Sequence, residues 1–400
     1  MADTAVNSTS TRYSNMSDYP LYQMRIYTGF SDTFRFFKEH SMQPFVEEAQ
    51  TYQNKLSRQM EESSIRMRLR QHYNMEKVLL VIGFKQRITC TNPSMWVWRF
   101  DYRRWYTLRS SSCKLGNGYA TCRYGKSEVF FCGGQGKRTF LKFDGLTDTI
   151  LPCTQMITAR MSHCMACVGD SIYVLGGNGF QFEKKHACLV EDKLESVEVW
   201  RPSDATWQQC GHIMSPVSGA TSCISGSLIL LYGGYINQND KEHSNLAQFY
   251  DTKTNTCGHL QANLPLKFQN LKSANVSGVT YILANNNIFE SECKDKLEYN
   301  KVQSLREKCD THSFAKHSFA MTNDEKYLYI LKECYNRPIP IYDDTSWDLR
   351  QYNIATHLVE NASKNIRFFK SDVSMHTLVV GKSILHEKSV VVPNSEGFLT

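Results

Sequence analysis

The densest chemical signal in the chain is Cys164-Met165-Ala166-Cys167 with His163 beside it. On a helix or a tight knuckle, that spacing could chelate zinc. The neighbouring residues read as a β-strand, where positions an odd number apart point to opposite faces, so both sulfurs cannot reach one ion. Core packing is therefore expected here, and no metal or other cofactor. Cys188, two residues after His186 in a polar stretch, is the candidate for an exposed, redox-sensitive thiol. No phosphate loop, Gly-x-Ser-x-Gly or His-Glu-x-x-His pattern occurs, so no catalytic residues are assigned. The basic stretch at residues 66–70 interleaves its arginines with Met67 and Leu69. A nucleic-acid surface would need a basic face with interleaved aromatics.

Composition sets the frame for positioning any such groups. At 400 residues the chain can hold one large domain with an accessory segment, or two ordinary domains. Apolar residues make up 41% and aromatics 12%, which supports a sizeable core rich in strands. The net charge of +7 comes from 46 basic and 39 acidic residues spread along the chain, giving no nucleic-acid or membrane footprint. Fourteen cysteines lie scattered, and the first residues are polar, without an apolar leader. The economical expectation is a cytoplasmic protein with reduced thiols acting as small core hydrophobes. The sequons at Asn7, Asn15, Asn275 and Asn361 then carry no glycan.

Residues 1–25 are Ser-, Thr- and Asn-rich without periodicity and read as a disordered tail. Residues 26–62 read as helical: Ser31 and Asp32 can cap one helix, and Pro44 opens another. In the second, Phe45, Ala49, Tyr52, Leu56 and Met60 form one apolar stripe. A polar linker covers 63–76. From 77 to 390 a unit recurs at roughly 50 residues, a period of kelch type, and 391–400 form a tail. Each unit has an apolar run, often two glycines, a variable loop, then a strand ending in aromatic-Asp or aromatic-Arg-Pro with Trp or a substitute beyond.

The third unit is the fullest copy, with Ile172-Tyr173-Val174-Leu175-Gly176-Gly177 followed by Trp200-Arg201-Pro202 and Trp207. Unit one has Phe100-Asp101 and Trp105. Unit two has Gly133-Gly134, Phe143-Asp144 and Ile150. Unit four has Gly233-Gly234, Tyr250-Asp251, Asn255 and Cys257. Unit five carries Ala284-Asn285 at the glycine positions, and unit six Tyr342-Asp343 with Trp347. Apolar runs of this kind suit strands buried on both faces, and the glycines suit a sharp, crowded turn. One such unit cannot bury both faces, so the repeats must close a ring, an all-β six-bladed propeller. Residues 374–384 match residues 162–172 without a gap, and unit one lacks a strand before Val78. The C-terminus is therefore expected to supply the inner strand of the first blade.

These residues resemble the kelch-like family, in which a BTB domain and a helical BACK domain precede a six-bladed propeller. Residues 77–390 resemble the propeller, and Phe45-Val46-Glu47-Glu48-Ala49-Gln50-Thr51-Tyr52 resembles the end of BACK. On this resemblance the BTB domain is expected to be absent from the chain. The resemblance implies a protein-binding disc of the kind that captures substrates for cullin-type ubiquitin ligases, with BTB-kelch or cullin components as indirect partners. The alternative is a cytoskeletal protein that binds actin or another filament through the same disc.

In that family partners bind the loops that follow the double glycine and those that lead into each inner strand. Carried over by position, the resemblance implies partner contacts at Arg160, Asn178, Phe180, Phe182, Tyr235, Asn237, Lys316 and His317. Residues 178–194 form a long polar loop on this expectation. Gly133, Gly134, Gly176, Gly177, Gly233, Gly234, Trp105, Trp207 and Trp347 are expected to be structural. Kelch-like oxidases hold copper with Tyr, His and Cys, and no motif here links His163, His317 or His376 to a tyrosyl pair. Ser203-Asp204-Ala205-Thr206-Trp207 superficially resembles the Asp box of sialidase-type propellers but fits a turn.

Overall fold

The computed structural model describes residues 75–84, 94–108, 115–183, 188–236, 243–268, 270–292, 298–305, 318–335, 345–367, 371–387 and 390–391. Met75 to Thr400 form one compact unit. The expected helical segment, most of the linker and most of the C-terminal tail lie outside the described residues. The first strand, Met75–Phe84, begins within the stretch expected as linker.

Six antiparallel sheets make the blades, five of them with four strands and the first with five. Their inner strands, in ring order, are Ser371–Gly381, Ala120–Tyr124, Cys164–Val168, Thr221–Ser225, Lys272–Val276 and Phe319–Asn323. Each lies beside the next, and the last lies beside the first. The second strand of every blade is buried on both faces, because each sheet stacks between two neighbours. Side chains alternate across it. In the first blade Val78, Leu80 and Ile82 enter the core shared with blade two, while Leu79 and Val81 enter the core shared with blade six. One such apolar core fills each of the six blade junctions.

The first blade takes its inner strand from the C-terminus, as the sequence led us to expect. Ser371–Gly381 pairs antiparallel with Met75–Phe84, with Val78 opposite Leu378 and Ile82 opposite Ser374. The equivalent pair in blade three is Leu175 with Cys164, so Ser374 corresponds to Cys164 and not to Ser162. The gapless match was two residues out of register, a slip that leaves every side chain on its expected face. Beyond Gly381 the chain turns into a helix, Lys382–Glu387, instead of a second strand. Val390–Val391 then adds to the outer edge of the same blade.

The third and outer strands are tied by one recurring hairpin. An aromatic of the third strand pairs with a residue seven later: Trp98 with Trp105, Trp200 with Trp207, Tyr250 with Cys257 and Tyr352 with Val359. Five residues after the aromatic stands a residue of positive φ, among them Asn255 (54°) and His357 (56°). The Tyr250 hydroxyl donates to Asn255 Oδ1 at 2.9 Å, and Tyr352 Oη lies 2.7 Å from His357 Nδ1. Blade six is thus registered on Tyr352, not on Tyr342-Asp343, which lie outside the described residues. Trp347 sits within its third strand, Thr345–Asn353, and is buried against blade one. Trp105 and Trp207 pack at blade junctions, donating from Nε1 to Ser363 Oγ and to the Thr154 carbonyl.

The double glycines have positive φ throughout: 66° and 88° at Gly133 and Gly134, 62° and 92° at Gly176 and Gly177, 65° and 87° at Gly233 and Gly234. Crowding adds to the conformational demand. A Cβ on Gly134 would collide with the Gly116 carbonyl oxygen. Blade five solves the same turn with Asn285 and Asn286 (46° and 62°), since Asn is the side chain that enters this region most readily. The expected Ala284-Asn285 pair was one residue early; Ala284 still belongs to the strand.

Candidate functional site

In a four-stranded meander, the connections between strands two and three emerge at one end. So do those from an outer strand to the next inner strand. Hairpins joining strands one and two, or three and four, emerge at the other. The first end carries most of the positions expected to meet a partner. Two of them are buried, which corrects the expectation.

Arg160 is 0% exposed and forms an ion pair with Glu198 at 2.6 Å. Its guanidinium also donates to the carbonyls of Gly176 and Ser196 and to Ser196 Oγ, each at 3.0 Å. The Glu198 carboxylate accepts from the backbone N–H groups of Ile157 and Thr158 at 2.9 and 3.0 Å. Arg160 is thus a strut inside the blade and not a surface anchor. Asn178 is also buried, and its side-chain oxygen accepts from Lys193 Nζ at 2.7 Å. The stretch expected as a long loop is a hairpin, Asn178–Glu183 with Cys188–Lys193. Arg160–Met161 joins it as a third strand.

Phe180 and Phe182 occupy strand positions opposite Glu191 and Leu189, and their side chains lie outside the described residues. So do Asn237, Lys316, His317 and the Cys188 side chain. Tyr235 is half-buried: its backbone pairs with Ser218 and His243, and its ring lies 4.3 Å from the His243 ring.

Sequence reasoning missed the apolar residues that this end presents to solvent. Ile157, Met214 and Leu266 are 46%, 53% and 62% exposed. They lie on the loops leading into blades three, four and five. One or two positions before each stands a buried residue, Met156, Ile213 or Leu264, whose N–H bonds a neighbouring loop of the preceding blade. Ile236, beside Tyr235, is also exposed. The signal was legible as Met-Ile, Ile-Met and Leu-Pro-Leu just past each outer strand. Tyr102, Leu146 and Leu358 are exposed too, but in hairpins at the opposite end.

A recurring clip holds these loops. Two residues before the third-strand aromatic stand Glu198, Gln248 and Arg350. Gln248 exchanges hydrogen bonds with the Ser215 backbone, both at 3.0 Å, and Arg350 donates to the Leu305 carbonyl at 2.6 Å. Each clip reaches the loop that arrives from the preceding blade.

Along the axis, the inner strands surround a channel of about 540 Å³. A polar contact crosses every blade junction around it. His376 Nε2 meets Thr121 Oγ1 at 2.8 Å, and His163 Nε2 meets Cys132 Sγ at 2.9 Å. Cys164 Sγ donates to the Ala220 carbonyl at 3.3 Å, and Thr221 Oγ1 meets Ser273 Oγ at 3.0 Å. Asn323 Nδ2 donates to the Asn275 carbonyl at 3.4 Å, and Thr377 Oγ1 donates to the Asn323 carbonyl at 2.9 Å. Cys164 and Cys167 face different surroundings, and among the described residues no three His, Cys, Asp or Glu side chains converge on a metal position.

Burial pulls both channel histidines down from 6.5 to about 3, with a smaller push from Arg160 on His163 and from Arg123 on His376. The folded protein then binds fewer protons than the unfolded chain between those values. Their contribution is complete above about pH 6.5 and is lost as pH falls toward 3, by up to about 1.4 kcal/mol per unit for each histidine. Urea midpoints should therefore hold steady from pH 8 to 7 and drop clearly by pH 5. Equal midpoints at pH 7 and 5 would contradict this assignment.

No family model matches the chain. Over 144 residues it is 27% identical to Kelch-like protein 36 of Mus musculus, and to the same degree to Kelch-like protein 36 of Rattus norvegicus. Each match covers 34% of this chain and only 22% of the relative. Among solved structures it is similar to that of YjhT, with a TM-score of 0.51 at 12% identity, covering 65% of this chain and 86% of that one. At that identity the likeness concerns fold alone. Together with the six blades described above, it makes the chain an all-β propeller.

Proposed function

We propose that the chain is a non-catalytic protein-interaction module that captures a partner on the end of the propeller bearing Ile157, Met214, Ile236 and Leu266. The observation that carries this reading is the placing of exposed large apolar side chains on three consecutive loops of one end. Apolar anchors ringed by polar residues mark protein-binding surfaces. Tyr235 stands beside Ile236 and supplies an amphipathic ring at the same end. The kelch-type likeness supports a role resembling that of substrate receptors of cullin-type ubiquitin ligases. No disulfide joins the cysteines whose side chains are described, which suits the cytoplasm.

The test compares three forms of the full chain in affinity isolation from cells: the parent, I157D/M214D/L266D, and the opposite-end control L146D/L358D. All five substituted side chains point to solvent, so melting should change little. Anchors of this type contribute more than ~1 kcal/mol each, so the triple variant should lose its partner by a factor of about a hundred or more. The control should keep it. Equal recovery by all three would place binding elsewhere. Cullin or BTB-kelch components lost with the triple variant support the ligase role, and actin or filament proteins in their place would favour the cytoskeletal alternative.

A further inference from the structure

The junction between blades two and three is rich in sulfur. Its core includes Cys122, Cys132, Met156 and Met165, with Cys153 and Cys167 packed against it. One imidazole enters this setting. His163 is buried, with Nε2 at 2.9 Å from Cys132 Sγ, and Cys132 Sγ lies 3.4 Å from Met165 Sδ. His163 Nδ1 is buried without a hydrogen-bond partner, so the ring engages the protein through the nitrogen that faces sulfur.

We propose that Cys132, His163 and Met165 form a site for a soft monovalent metal ion of the Cu(I) class. A thiolate, a thioether and an imidazole are the donors that select such an ion. Charge favours it over zinc. Cu(I) with one thiolate and two neutral donors is neutral overall, whereas Zn(II) would leave a net positive charge in an apolar core, at high desolvation cost. Zinc also asks for a fourth ligand in a structural site, and the donors grouped around Cys132 Sγ here are two, His163 Nε2 and Met165 Sδ, besides the thiol itself.

Binding forms the Cu–S bond and releases one proton from Cys132 to solvent. His163, Met165 and Cys122 also line the axial channel, which gives an ion a route inward. Among the described residues no carboxylate lines that channel.

The test is an anaerobic titration of the reduced full-length protein with Cu(I), in competition with bicinchoninate, followed by X-ray absorption of the one-equivalent form. The expected first shell holds one nitrogen and two sulfurs. Even an outer partner of a metal ligand typically alters affinity 10- to 100-fold. M165L and H163Q should therefore each weaken the first equivalent by at least about tenfold. The near-isosteric C132S should do the same. A first shell of sulfur alone in the parent protein would show that other thiols hold the ion and would overturn the site. So would M165L binding the first equivalent as tightly as the parent.

Discussion

Truncating the chain before Ser371 is expected to abolish cooperative unfolding. The strand Ser371–Gly381 is the inner strand of blade one, and it also stands between the inner strands of blades six and two. Its removal takes Met375, Leu378 and Val380 out of the core, together with Ile384 and Leu385 of the following helix. At roughly 1.5–3 kcal/mol for each fully buried side chain, the loss is on the order of 10 kcal/mol. That rivals the whole net stability of an ordinary domain, about 5–15 kcal/mol. Polar ties go with it, including Arg123 to Thr377 Oγ1 at 2.9 Å and the Val379 N–H to the Lys126 carbonyl. Calorimetry should show a broad, low-enthalpy transition in place of a single sharp one. A sharp transition within a few degrees of the parent would mean that the ring does not depend on this strand.

The second large effect concerns Arg160 and Glu198. Breaking a buried ion pair from one side leaves an uncompensated charge, at a cost of about 3–5 kcal/mol. R160M and E198Q are each expected to lower stability by about that amount. Blade four shows what a neutral version of this position looks like. There Val217 stands where Arg160 does, receiving the N–H of the preceding double glycine (Gly177 to Val217, as Gly134 to Arg160). Gln248 replaces Glu198 and clips the arriving loop through Ser215. The double variant R160M/E198Q rebuilds that arrangement in blade three and should come within about 1.5 kcal/mol of the parent. Urea unfolding of the four proteins measures the coupling. Additive losses would mean that the two residues act independently, against the geometry.

The contrast between these blades explains what was legible in the amino-acid sequence. Features fixed by backbone demands were readable: double glycines where φ is positive, apolar runs buried on both faces, and a closing strand recognisable by likeness to residues 162–172. Features settled by partners distant in sequence were not. Arg160 looked like a surface anchor because its counterion lies 38 positions later, on another strand. Tyr342-Asp343 imitated the hairpin signature of blade six, and only pairing of Tyr352 with Val359 reveals the true one, whose Trp position is filled by Val. Residues 178–194 looked like a loop because polar residues obscure the alternation of a hairpin. The exposed Ile157, Met214 and Leu266 escaped because single surface apolar residues are ordinary, and only the fold brings these to one end.

The pairing of Met75–Phe84 with Ser371–Gly381 also sets a timetable for synthesis. Val78 and its partner Leu378 are 300 positions apart. At about 5–20 residues per second on the ribosome, roughly 15–60 seconds separate their emergence. Throughout that interval a strand with five fully buried positions in the finished ring, 78–82, has an open edge and no inner neighbour. Such an edge is a template for pairing with any other extended chain nearby. Nascent chains on crowded polysomes are the nearest supply, so this propeller should lean on chaperones most heavily before its last strand appears, and far less once the ring has shut.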